Sequence, residues 1–122
     1  MATYLQDIRQ GDDYVLKFDY GSTNDITGFE FTLTVKESFS DTDENAVLQY
    51  SSVAGSDSAD DPVVGIAYLR VPAYITKNAQ AGIYYYDVQV KTTTGNIATL
   101  IPPVDDYKDK VVIAPEVTRL SA

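Results

Sequence analysis

Strict two-residue alternation is the feature that most constrains this chain. In the stretch Ala81-Gly82-Ile83-Tyr84-Tyr85-Tyr86-Asp87-Val88-Gln89-Val90-Lys91, Tyr84, Tyr86, Val88 and Val90 fall on one face. Ile83, Tyr85, Asp87, Gln89 and Lys91 fall on the other, the pattern of a strand with one buried face. Its length and its aromatic and β-branched content predict the central strand of a sheet. The same period runs through Tyr14–Tyr20, with Tyr14, Leu16, Phe18 and Tyr20 inward, and through Phe29–Lys36, with Phe29, Phe31, Leu33 and Val35 inward. The polar cluster Gly21-Ser22-Thr23-Asn24-Asp25 between them predicts a hairpin.

Val63–Val71 reads as a further strand, with Gly65, Ala67, Leu69 and Val71 on one face and Pro72 ending the ladder. Ala46–Ser51 is a weaker strand whose facing stays open, with either Val47 and Gln49 or Leu48 and Tyr50 inward. Residues 73–80 allow one helical turn, with Tyr74 and Ile75 covering an end of the core. Thr92-Thr93-Thr94-Gly95-Asn96 is a hairpin turn before Ile97–Ile101, and Val111–Ile113 closes the series. Short strands with turn signals about every ten residues predict an all-β fold. The expectation is an immunoglobulin-like antiparallel β-sandwich of seven or eight strands with at most one short helical turn. With 122 residues, one domain is expected over 1–122, its body about 8–115 with short terminal arms. In such a fold Tyr84 and Tyr86 belong to the core, and one of them is a candidate for the tyrosine corner of sandwich domains.

Composition removes several chemistries. The chain has no cysteine and no histidine, so it contains no disulfide, thiolate site, imidazole base or His-based zinc site of its own. Nine Lys plus Arg against eighteen Asp plus Glu give a formal charge of −9, a surface that repels nucleic acid and anionic membranes. Neither a basic, apolar leader nor a stretch long enough to cross a bilayer is present, which predicts synthesis in the cytoplasm without a signal peptide.

Several motifs carry a resemblance. Ile8-Arg9-Gln10-Gly11-Asp12-Asp13-Tyr14, Ile26-Thr27-Gly28 before Phe29-Glu30-Phe31, Gly65-Ile66-Ala67-Tyr68-Leu69, Ala81–Val90 and Pro115-Glu116-Val117-Thr118-Arg119 follow one another in order. Together they resemble small immunoglobulin-like domains of tailed-phage virions, similar to the N-terminal domain of the phage baseplate upper protein. The segment Ile101–Lys110 departs from that pattern as an insertion. The resemblance implies a non-enzymatic structural component of the tail, baseplate, neck or connector region, located in the virion after synthesis in the host cytoplasm. The partners it implies are other virion proteins and further copies of the chain in a symmetric oligomer, with no direct nucleic-acid binding and no membrane. The alternative is a head-decoration or fibre module that adheres to host surface glycans.

Candidate sites are few. Asp41-Thr42-Asp43-Glu44-Asn45 opens like a calcium loop, but Ala46 stands where glycine is needed and Ser52 where glutamate is. Asp57, Asp60 and Asp61 could join it from a neighbouring loop, although solvated turn acids are the expected reading, and no cofactor or metal is expected. The carboxylate pairs Asp12/Asp13 and Asp105/Asp106 lack a partner across a cleft, so no enzyme is expected. Candidate interface residues are Tyr85 and Asp87 on the outer face of the central strand, with Tyr4, Leu5, Val117, Arg119 and Leu120 on the terminal arms. Tyr85 either anchors a protein contact or lies beneath another element.

Overall fold

The computed structural model describes residues 7–38, 45–101 and 110–115. Its strands are β1 (Ile8–Arg9), β2 (Tyr14–Asp19), β3 (Glu30–Lys36), β4 (Leu48–Val53), β5 (Ile66–Val71), β6 (Gly82–Lys91), β7 (Ile97–Ile101) and β8 (Lys110–Ala114), with one helix, α1 (Ala73–Asn78). Six strands form one sheet in the order β1-β8-β6-β3-β4, with β7 also pairing with β6, and β2 and β5 form a second sheet. This partition is that of an all-β sandwich, with β2 and β5 facing the larger sheet.

The strand β6 lies at the centre of the larger sheet, as its sequence predicts. One edge is paired with β3 from Tyr85 to Lys91, and the other is shared by β8, opposite Gly82–Tyr85, and β7, opposite Val88–Lys91. Its inward residues Tyr84, Tyr86, Val88 and Val90 are buried, together with Phe31, Leu33 and Val35 of β3. From the second sheet Phe18, Ala67, Leu69 and Val71 close the core, and the Phe18 and Phe31 rings stack at 4.3 Å and 9°.

Four sequence expectations are corrected. The strands β2 and β3 are not a hairpin: β2 pairs with β5 and β3 with β4 and β6. The two apolar faces meet across the core instead of lying side by side, and the linking segment crosses between sheets with Ile26 buried. Pairing is not wholly antiparallel, because β1 runs parallel to β8. The expected strand from Val63 begins only at Ile66, since Pro62–Val64 forms a 3-10 turn closed by Gly65 at φ 82°. A Cβ at Gly65 would lie 2.5 Å from the Gly21 carbonyl oxygen, so only glycine fits where these two turns touch. Finally, Tyr74 does not cover the core: it is 61% exposed, while Ile75 packs against the core and Thr76 is fully buried. The open facing of the fourth strand resolves to Leu48 and Tyr50 inward.

The Arg9–Asp13 turn explains the position of α1. Thr76 Oγ1 accepts a hydrogen bond from the Gly11 N–H at 3.1 Å and lies 2.7 Å from the Asp12 carbonyl, to which it donates. Gln10 Nε2 donates to the Ala79 carbonyl at 2.8 Å, and Asp13 Oδ1 accepts from the Ala73 N–H at 2.9 Å. Arg9 donates to the Pro115 carbonyl at 3.1 Å, and Ile8 is buried. Each residue of Ile8-Arg9-Gln10-Gly11-Asp12-Asp13 is therefore used to fasten the helix and the last strand to the first turn.

The tyrosine corner is present at Tyr84, whose hydroxyl donates to the Gln80 carbonyl at 2.8 Å. A Cβ on Gly82 would come within 3.1 Å of that hydroxyl, so the glycine gives the ring room to lie along the backbone. Tyr20 is the contrast. Its hydroxyl is the one buried side-chain polar atom that lacks a hydrogen-bond partner among the described residues, and burial pushes its phenol pKa up.

Thr76→Val keeps the side-chain shape and orphans the Gly11 N–H, so it is expected to cost about 2 kcal/mol of stability, with Thr76→Ser restoring most of it. Denaturant titration reads both, and a valine variant within about 0.5 kcal/mol of the parent would contradict the clamp. Tyr84→Phe is expected to destabilise by about 1 kcal/mol, whereas Tyr20→Phe, which removes an unsatisfied hydroxyl, is expected to be neutral or stabilising. Equal losses in the two variants would contradict this assignment.

Candidate functional site

With one face of β6 spent on the core, its other face is the surface most firmly positioned by the fold. Alternation points Ile83, Tyr85, Asp87, Gln89 and Lys91 outward, and the register of the sheet sets their neighbours. Lys91 stands beside Glu30, which stands beside Val53, with Ile97 on the opposite flank. Gln89 stands beside Thr32 and Thr99, with Ser51 beyond Thr32. Asp87 stands beside Thr34 and then Gln49, Tyr85 lies between Lys36 and Lys110, and Ile83 pairs with Val112.

The face divides into two halves of different chemistry. At the Ile83 end, Ile83 is 70% exposed, Val112 is half-buried, and Tyr85 is half-buried between two lysines. The Lys110 ammonium lies 5.3 Å from the centre of the Tyr85 ring, within cation–π range. Tyr85 stands on the outer face of β6, half-buried between Lys36 and Lys110 in the register of the sheet.

At the Lys91 end the surface is an open groove of about 290 Å³ between β4 and β7. Its floor is hydroxyl and amide: Thr32 Oγ1 and Ser51 Oγ are hydrogen-bonded at 2.7 Å, and Gln49 Nε2 donates to Thr34 Oγ1 at 3.0 Å. Ile97, 64% exposed, forms an apolar wall. The ladder with β7 shifts register between Val88 and Gln89, where Leu100 of β7 is the extra residue. Sequence reasoning missed this groove. Its residues come from strands that are distant in the chain, and the available signal was that the outward positions of β3, β4 and β6 hold Thr, Ser and Gln where Lys and Glu are common.

The acidic candidates have structural employment. Asp60 Oδ2 accepts from the Gly55 N–H at 2.8 Å and the Asp57 N–H at 3.1 Å, and Oδ1 accepts from the Tyr68 N–H at 2.7 Å. Asp57 accepts from Arg70 Nε at 2.9 Å and from the Ala59 N–H at 2.9 Å. These carboxylates hold the β4–β5 loop, and among the described residues no group of three acidic, His or Cys side chains could hold a metal ion. The Asp13 carboxylate likewise serves the α1 clamp, whereas Asp12 contributes its backbone carbonyl and its side chain is exposed. Tyr4, Leu5, Asp41, Asp43, Glu44, Asp105, Asp106, Val117, Arg119 and Leu120 lie outside the described residues.

The hydrogen bond from Arg70, followed by that from the Ala59 N–H, holds the Asp57 carboxyl below the usual carboxylate value. A carboxyl depressed in the folded state stabilises the fold above its unfolded pKa of about 4 and loses that contribution as pH falls through the lower folded value. Arg70→Ala is therefore expected to flatten the acid limb of a melting-temperature profile below about pH 4. An unchanged acid limb would contradict the role of this pair. Comparison of the chain with protein-family models, with curated proteins and with solved structures finds no match in any of the three.

Proposed function

We propose that this chain is a non-enzymatic structural component of a tailed-phage virion, which assembles by docking the Ile83–Tyr85 end of its larger sheet onto a neighbouring protein. The observation that carries the docking surface is the Lys36–Tyr85–Lys110 row beside exposed Ile83. An aromatic side chain of restricted freedom, next to exposed apolar surface and flanked by charge, has the make-up of a protein-interface anchor. The virion setting rests on the ordered motif resemblance of residues 8–119.

Electrostatics favours a particular neighbour. The chain carries −9 overall, yet two of its nine basic residues stand on either side of Tyr85. Such a row attracts an acidic surface, and the rest of an identical copy supplies one. A contact between unlike patches of identical copies is heterologous, and it closes into a ring when the rotation permits. Repetition around a ring makes a modest interface per subunit sufficient.

Sedimentation velocity across a concentration series, native mass spectrometry with the other particle proteins, and detection of the chain in purified particles test this reading. The parent chain is expected to form a salt-sensitive oligomer or to join the particle. Tyr85→Ala is expected to weaken that association by about 30-fold, and Lys36→Glu with Lys110→Glu to abolish it. A chain that stays monomeric and absent from particles, or a Tyr85→Ala variant that assembles like the parent, would overturn the proposal.

A further inference from the structure

We infer that the groove at the Lys91 end of the same face is a binding site for a neutral saccharide. The inference goes beyond the assembly reading and stands independently of it, since none of the groove residues belongs to the Tyr85 row. Four observations carry it.

The first is the character of the groove. At about 290 Å³ it lies near the lower limit of small-molecule sites, roughly 300–1,000 Å³. Unlike sites for apolar ligands, its floor is made of hydroxyl and amide groups, which both donate and accept hydrogen bonds. A ligand that matches it must do the same at closely spaced positions, as vicinal hydroxyls on a sugar ring do.

The second is preorganisation. The Thr32–Ser51 and Gln49–Thr34 hydrogen bonds fix those side chains across strands before any ligand arrives, which reduces the ordering cost of binding. All four of these residues line the groove.

The third is charge. Glu30 and Lys91 are opposed in register at the end of the groove but make no ion pair with each other. Their charges cancel in sum, so the groove selects no anion or cation, while each can hydrogen-bond a sugar hydroxyl with charge assistance. Exposed Ile97 supplies the apolar wall against which the C–H face of a pyranose ring can lie.

The fourth is the register shift beside Gln89. The extra residue is Leu100 of β7, so the irregularity lies in the strand that flanks the groove, while the outward alternation of β6 runs through Gln89 unbroken. Gln89 is exposed and lines the groove. A peptide added as a strand would pair with the outer edge of β4 or β7 rather than lie on the floor between them.

The test is chemical-shift mapping of the full-length, ¹⁵N-labelled chain with maltohexaose, cellohexaose and chitohexaose, each raised to about 10 mM, and with a neutral Ser/Thr/Val decapeptide as comparator. At least one saccharide is expected to shift the amides of Thr32, Ser51 and Gln89 in a saturable manner. Gln89→Ala and Thr32→Val, at surface positions, are each expected to lower affinity about three- to tenfold, while Tyr85→Ala leaves it unchanged. Absence of saturable shifts with all three saccharides, shifts centred elsewhere, insensitivity to both groove variants, or preference for the decapeptide would overturn the inference. Loss of assembly in Tyr85→Ala with saccharide binding intact would separate this site from the docking surface.

Discussion

The stack of Phe18 on Phe31 is the contact on which the architecture depends. A two-stranded sheet has little area to hold itself against a six-stranded one, and it must present large side chains in a narrow stripe. Phe18 is fully buried and nearly parallel to Phe31 at 4.3 Å, with Leu69, Ala67 and Val71 completing the inner face of the small sheet. Tyr20 and Phe29 meet edge to face at 6.2 Å at the margin of this contact. Without it the small sheet would be an isolated strand pair, which is marginal in water.

The same contact explains where the sequence misleads. Alternation identifies β2 and β3 and their inward residues correctly, because burial of one face imposes period 2 on any strand. It carries no information on whether two consecutive strands lie side by side or face to face. Phe18 and Phe31 satisfy the pattern equally well in both arrangements, and the short polar linker favours the hairpin in a local reading. The hairpin at Thr92–Asn96 was legible because there the turn chemistry and the pairing agree: the Gly95 N–H donates to the Thr92 carbonyl at 3.0 Å, with Gly95 at φ 91°. Likewise Pro62 and Gly65 mark a turn only once Gly21 is known to press against it.

The Arg9–Asp13 motif shows how a distinctive sequence can serve the fold. Its polar residues look available for chemistry, and adjacent aspartates invite an acid/base reading. In the fold, Gln10, Gly11, Asp12 and Asp13 all reach α1 or the residue after it, and their partners lie 60–69 positions away in the chain. A short helix of six residues has almost no stability of its own, so it is held by these bonds and by Thr76. The motif therefore reports on fold, and likeness in such motifs transfers architecture more securely than activity.

What remains for function is the surface that stability does not consume. Inward positions of β3 and β6 are committed to the core, Asp57 and Asp60 are committed to backbone donors and Arg70, and the first turn is committed to α1. The outward positions of β3, β4 and β6 are under no such demand, because a solvated sheet face tolerates most polar residues. That freedom is why the groove was invisible to sequence reasoning: Thr32, Ser51 and Gln89 are unremarkable singly, and only the register joins them. It is also why a site there is well placed. Each side chain rises from a strand paired on at least one edge, and β6 is paired on both, so the spacing of its outward groups is set by the ladder rather than by a loop. Tyr85 and Gln89 are four residues apart on that strand, about 13 Å along its axis. A separation of this size lets one strand present two contacts that do not compete, one suited to a protein neighbour and one to a polar ligand.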